Sequence, residues 1–241
     1  MRLAIVSDIH ANVAALAAVL ADIDTCGVDR IVHLGDLVGY NSFPSETLAL
    51  MQARGIRGVH GNHDLMACGA LSLDHCGPTA RRAIAWTRDQ LSRADLAYLA
   101  ALPGELRLGG DVICMHSMLG DPVGRVRGAE AFHEVSLELR RFDPHLEICC
   151  TGHTHRPGAV EIGPEGVGDT SAARSASRRG RSGSSIRAAS ASRATPTQGR
   201  PTPSWTANRG SLRSIGSDTT TRACQSTTRV AGSRSKNARD G

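Results

Sequence analysis

One lysine, Lys236, stands among 28 basic residues, and the rest are arginine. The chain has no apolar run near the roughly 20 residues that a membrane helix needs. A secretory leader is not expected: Met1-Arg2 runs straight into Leu3-Ala4-Ile5-Val6 and then Asp8, too short for a hydrophobic leader core. A cytoplasmic protein that does not engage a membrane is expected. Cysteine pairs with metal-ligand or redox spacing are missing. The seven Cys are scattered, with no C-x-x-C and with Cys149 and Cys150 adjacent, which fits reduced thiols used as core filler. The basic C-terminal stretch has no interleaved aromatics, so a nucleic-acid partner is not expected from it.

Charge is distributed unevenly. Residues 1–168 hold 14 Arg against 20 Asp and Glu, a formal −6, and all ten His. Residues 169–241 hold 13 Arg and one Lys against three Asp, a formal +11. The first part alternates two periodicities. Leu3–Ser7, Arg30–Leu34, Ile56–His60, Val112–Met115, Leu146–Cys150 and Ala159–Ile162 read as strands, with Leu106–Leu108 and Gly109-Gly110 making a hairpin into the fourth. Val13, Leu16, Leu20 and Ile23 recur at helical spacing. Further helices are expected from Pro44, over Pro78–Leu91, over Arg93–Leu102 with Ser92 as cap, and over Glu130–Arg141. Strands alternating with helices imply an α/β fold.

Five polar clusters follow directly on strand-like runs: Asp8-Ile9-His10, Gly35-Asp36, Gly61-Asn62-His63-Asp64, His116, and Gly152-His153-Thr154-His155. In α/β sheets the carboxyl ends of strands line the ligand crevice, so these side chains are expected on one rim. The glycines ahead of the ligands allow close backbone approach. Asp8, His10, Asp36, Asn62, His116, His153 and His155 are nitrogen or oxygen donors, with no thiolate among them, and are numerous enough to hold two metal ions.

In this order the clusters resemble the calcineurin-like metallophosphoesterases, whose pattern is D-x-H, G-D, G-N-H-D, H and G-H-x-H, and most closely the small bacterial and archaeal type. The resemblance covers about residues 1–165. It implies a four-layer α-β-β-α sandwich of two mixed sheets. It implies Asp8, His10 and His155 on one metal, Asn62, His116 and His153 on a second, and Asp36 bridging both. His63 would protonate the leaving-group oxygen, with Asp64 orienting it. The cofactor would be two divalent transition-metal ions, Mn first, with Fe, Ni, Co or Zn also suited to such donors. The activity implied is hydrolysis of a small phosphoester or a phosphoprotein, by phosphodiesterase or phosphomonoesterase action.

Other residues divide into structure and surface. His33 and His60 read as core or supporting groups, and His133 and His145 as solvated. Cys68, His75 and Cys76 lack a fourth ligand for zinc. Gly39-Tyr40-Asn41 lies where a substrate could pass, and Arg125, Arg127 and Arg156 could reach a phosphate. After Gly168 the chain turns to Arg, Ser, Thr, Ala and Gly, a composition expected to be disordered. Written in G/C-rich codons, Ser185 to Thr206 can also be read one base out of phase as a segment similar to the closing strands of the same family. A second sheet lacking its last strands is then expected, and a catalytically silent metal-binding or regulatory protein becomes the alternative to an enzyme.

Overall fold

The computed structural model describes residues 2–126 and 128–155, then the backbone of 158–163, 166–169, 186–190, 204–208 and 211–215. β1 (Arg2–Val6) is buried on both faces, with Leu3 and Ile5 on one side and Ala4 and Val6 on the other, as suits a central strand. α1 (Val13–Thr25) begins at Asn12, whose side-chain oxygen accepts the Ala15 amide at 3.1 Å, and it buries Leu16, Leu20 and Ile23. β2 (Arg30–His33) follows, then α2 (Pro44–Ala53), with proline in its first turn and Leu48 and Met51 buried.

β3 is only Arg57–Gly58, shorter than the Ile56–His60 expected. Among the described residues it is an edge strand with β2 as its one neighbour. Val59 still donates to the His33 carbonyl at 3.3 Å, but the His60 amide turns away to Pro103 at 2.9 Å. Next comes α3 (Asn62–Cys68), where the sequence pattern had suggested only a polar cluster. A 3-10 turn at Leu73–His75, α4 (Pro78–Gln90) and α5 (Arg93–Ala100) complete this side. Ser92 caps α5 as expected: its hydroxyl accepts the Asp95 amide, and Asp95 accepts the Ser92 amide in return.

β4 (Glu105–Arg107) and β5 (Val112–Met115) form the hairpin over the two glycines, with Gly109 at φ +83°. α6 (Gly128–Phe142), β6 (Ile148–Thr151), β7 (Gly158–Gly163) and β8 (Gly166–Asp169) follow. Beyond Gly168 the sequence offered no strand periodicity. The structure nevertheless draws β9 (Ile186–Ser190), β10 (Ser204–Asn208) and β11 (Ser211–Ile215) from that stretch. Backbone pairing recruits them: a strand edge offers N–H and C=O groups to almost any extended partner.

The described residues form two mixed sheets. The first runs β11-β10-β1-β2-β3 and the second β4-β5-β6-β9-β7-β8. The second sheet, expected to be short of strands, holds six among the described residues, with β9 parallel to β6 and antiparallel to β7. Three apolar clusters hold the molecule together. Ala4 and Val6 pack against Leu16, Leu20, Met51, Met66, Ile84 and Leu99 of the helices. Leu3, Ile5 and Val32 of the first sheet, with Leu34 just past β2, meet Val112, Cys114 and Cys150 of the second. Ile113, Met115 and Cys149 on the far face of the second sheet meet Val135 and Leu139 of α6. Cys149 and Cys150 thus fill two different cores, and no described cysteine is in a disulfide. β1 and β2 are parallel, as are β5 and β6, which carries their carboxyl ends to a common rim. No helix among the described residues is long and apolar enough to cross a membrane.

Candidate metal centre

The rim collects the expected donors. Asp8, His10, Asp36 and His155 each offer one atom within 4.8 Å of the others, and Asp36, His116 and His153 form a second such group. Asp36 belongs to both. Asn62 joins the second group through its Oδ1, 3.1 Å from His116 Nε2. All seven sequence-nominated ligands therefore meet in one place. Cys68, His75 and Cys76 form no such group among the described residues. His133 and His145 are exposed.

The two oxygens of Asp36 have different work. Oδ1 accepts the His63 amide at 2.8 Å. Oδ2 lies 3.7 Å from His10 Nε2 and 3.4 Å from His116 Nε2, so one oxygen faces both donor groups. Gly61 makes this possible, because a Cβ there would collide with the Asp36 carboxylate and amide. The two principal histidines are turned by backbone carbonyls. His10 Nδ1–H donates to Val38 at 3.1 Å and His116 Nδ1–H to Leu34 at 2.6 Å. Each is left with its Nε2 lone pair facing the rim, the usual device for aiming a ligand histidine.

The spacing fits cations. His10 Nε2 and His155 Nε2 are 3.3 Å apart, and His116 Nε2 and His153 Nδ1 are 3.2 Å apart. Two imidazole nitrogens bound at about 2.0–2.1 Å to one tetrahedral ion are separated by roughly 3.3 Å. The backbone is committed to this arrangement as well. Asp8, His10, Asp36, His153 and His155 all have φ between +51° and +63°, a left-handed region that non-glycine residues avoid. Strain on the order of 1 kcal/mol per residue persists only where neighbours enforce it. Here the enforcing bonds include Asp8 N–H to Gly35 O, His10 N–H to Asp36 O, and His153 N–H to both Asp8 oxygens at 3.1 Å.

The electrostatics follow from burial and proximity. Burial acts to raise both carboxyls, but His155 beside Asp8, and His116, His63 and His10 around Asp36, hold both below the usual carboxylate range. Burial pulls His10 down to about 3 and His153 to about 4. In His116 burial is outweighed by Asp36, which pushes it up to about 9. A divalent cation would compete with that proton for the same lone pair.

His63 stands beside the first donor group, its ring centroid 4.7 Å from that of His10, and burial holds it below its ordinary value. The Asp64 carboxylate bonds to backbone amides. Its Oδ1 accepts the Leu37 and Val38 amides (2.8 and 3.2 Å) and its Oδ2 the Gly61 amide (2.9 Å). No hydrogen bond joins it to the His63 ring among the described residues, and His63 Nδ1 is buried without a partner. The physical reason is geometric: Asp64 is at the third position of α3, where a carboxylate folds back onto the helix start. Arg125 is exposed and near enough to His153 to depress its protonation. Arg127 and Arg156 lie outside the described residues. Sequence reasoning also missed how closely Tyr40 approaches the centre: its ring lies 4.8 Å from His10 and 4.7 Å from His63.

Comparison with known proteins gives the family. The profile of the calcineurin-like phosphoesterase superfamily domain matches residues 1–171, and the chain belongs to that family. An uncharacterized protein of Methanocaldococcus jannaschii is 41% identical over 101 residues, a match spanning 42% of this chain and 42% of that protein. The crystal structure of a metallophosphoesterase from Sphaerobacter thermophilus superimposes with a TM-score of 0.63 at 29% identity, over 89% of this chain and 88% of that one. A hypothetical protein of Pyrococcus horikoshii shares the fold, with a TM-score of 0.67 at 14% identity over 89% of this chain and 87% of that one. Phosphoester hydrolysis is the family's chemistry, and the donor groups of this chain could bind the metal it requires.

Proposed function

We propose that the protein hydrolyses phosphate esters with a dinuclear metal centre. Asp8, His10 and His155 would hold one ion, Asn62, His116 and His153 the other, with Asp36 shared. The observation that carries this reading is the place of Asp36 Oδ2 between the two histidine groups while Oδ1 is held by the His63 amide. Two neighbouring cations would need such a shared carboxylate against their repulsion, and when bound they would neutralise phosphate charge and acidify water. Only Asp8 and Asp36 offset them, so the rim would stay net positive and draw in an anion. Val38 and Leu34 carbonyls keep His10 and His116 aimed. His63, beside the first ion's ligands, would donate its proton to the leaving-group oxygen; a phosphate anion next to it favours its protonated form.

Manganese is the first ion to try, then Fe, Ni, Co and Zn. The substrate is a phosphodiester or phosphomonoester, as a small molecule or on a protein. The three apolar clusters support the α-β-β-α order of layers. The end of the family match at residue 171 supports residues 1–168 as the catalytic unit and 169–241 as an added basic segment.

The test is metal analysis together with turnover of mono- and bis-nitrophenyl phosphate in added Mn²⁺. Asp36→Asn keeps the side-chain shape and an acceptor for the His63 amide but removes the shared charge. It should lower turnover more than about a hundredfold, the loss of roughly 3 kcal/mol of charge stabilisation, with metal content below two ions per chain. Near wild-type turnover in a folded Asp36→Asn protein would sink the two-metal reading.

A further inference from the structure

His63 presents a problem that the proposed chemistry does not solve. An acid must be held at a fixed angle to the leaving group, yet no hydrogen bond reaches its buried Nδ1 among the described residues. The backbone of Gly39 and the rings of His10 and Tyr40 lie against the imidazole. The Gly39 backbone lies against Nδ1 so closely that a Cβ at position 39 would collide with it. The His10 ring packs at 4.7 Å with planes at 70°. The Tyr40 ring packs at 4.7 Å with planes at 47°, and it also meets His10 at 4.8 Å and 69°.

The turn that delivers Gly39 and Tyr40 is strained and pinned. Gly39 has φ +91° and Tyr40 φ +63°, a conformation a tyrosine adopts only when its surroundings require it. Asn41 fastens the far end: its amide and its Nδ2 both donate to the His10 carbonyl, at 3.2 and 2.7 Å. Asp64 fastens the near end through the Leu37 and Val38 amides. The strain is not needed to fill a core, because Tyr40 remains 39% exposed.

We propose that Tyr40 is the positioning residue of His63: tilted packing of its ring, in place of a hydrogen bond to Nδ1, fixes the imidazole for proton transfer to the leaving group. Asp64 then orients His63 at one remove, through the loop that carries Tyr40. Aromatic pairs at such separations favour defined tilts and contribute roughly 0.5–1.5 kcal/mol beyond area burial. A leucine cannot reproduce that tilt, whereas phenylalanine can. The inference rests on the phosphoesterase reading for its kinetic consequence and on geometry alone for its structural one.

The experiment compares Tyr40→Phe, Tyr40→Leu and Gly39→Ala with His63→Ala as reference, on nitrophenyl and alkyl phosphate esters. An alkyl leaving group needs the proton and a nitrophenolate scarcely does. General acid catalysis contributes about 10²–10⁴-fold, so Tyr40→Leu should lose roughly tenfold or more additional kcat on alkyl esters relative to nitrophenyl esters. KM and metal content should change little. Tyr40→Phe should restore the alkyl rate, and Gly39→Ala should resemble Tyr40→Leu. Independently of turnover, the His63 ring-proton NMR resonances should lose their ring-current displacement in Tyr40→Leu and keep it in Tyr40→Phe. Equal losses on both ester classes, or failure of phenylalanine to rescue, overturns the proposal, as does an unmoved His63 resonance. A wild-type protein that turns over neither ester instead refutes the phosphoesterase reading and leaves the NMR comparison to decide the packing.

Discussion

Asp64 shows how far a single residue's chemistry reaches. It is wholly buried, and burial, with Asp36 nearby, pushes its carboxyl up to about 7. Its three backbone bonds tie the start of α3 to the loop after Asp36. An asparagine would keep one acceptor and turn an NH₂ group toward backbone N–H groups. Asp64→Asn should therefore destabilise the fold by about 1–3 kcal/mol and lower kcat by loosening the 37–41 loop. A thermal melt with a kcat measurement checks both, and an unchanged melting point would count against this role. The ligands themselves were readable because D-x-H, G-D and G-H-x-H are local patterns. The role of Asp64 was not, since its partners lie 26 and 27 residues away.

At the scale of elements, helices with apolar periodicity were legible and α3 was not. Its first turn, Asn62, His63 and Asp64, is filled with residues serving the centre, so no apolar stripe announces it. Two signals were present: Asp64 at the third helical position, and Gly69, which ends the helix at φ +84°. The opposite case is α5, whose cap was visible in Ser92; the structure adds Asp95, which completes a capping box. Asp95 Oδ2 also accepts the Ser45 hydroxyl at 3.1 Å, so the cap ties α5 to the start of α2. Ser92→Ala should cost about 1 kcal/mol and lower the melting point by roughly 2–4 °C. A shift within measurement error would show that packing of Leu99 alone holds the helix.

For the whole molecule, buried histidines set the pH response of the metal-free protein. Burial takes His10 and His33 down to about 3 and His153 to about 4, from an ordinary 6.5, and lowers His60 and His63 as well. Unfolded, these groups take up protons below pH 6.5; folded, they do not. Their contribution is complete above 6.5 and is lost as the pH falls from 6.5 toward 3. Asp64 acts oppositely, because its raised value favours the folded state as the pH drops from 7 toward 3.8, but it is one group against at least three. His116, raised to about 9 against burial by Asp36, adds stability below 6.5 that is lost as the pH climbs to 9. Stability should peak near pH 6.5 and fall on acidification by about 1.4 kcal/mol per pH unit for each net proton, a net of roughly two. Urea midpoints measured in EDTA across this range check it; a midpoint that rises on acidification refutes it. Pairing of the strands past Gly168 belongs to this scale as well. β9 lies between β6 and β7, a placement that depends on which edges are open when the rest has folded.

The sequence by itself determined the donors, their order and the glycines that let them approach, because each cluster is a few residues long and its meaning is local. It also determined the helices whose apolar side repeats. Only the tertiary structure decided that Asp36 Oδ2 faces both histidine groups, that Asp64 holds a loop and leaves the ring to others, and that Tyr40 leans on His63. Those facts depend on strands brought side by side from distant parts of the chain. They depend too on left-handed backbone at Asp8, His10, Asp36, His153 and His155, a strain that no pattern of side chains encodes and only a finished packing can impose.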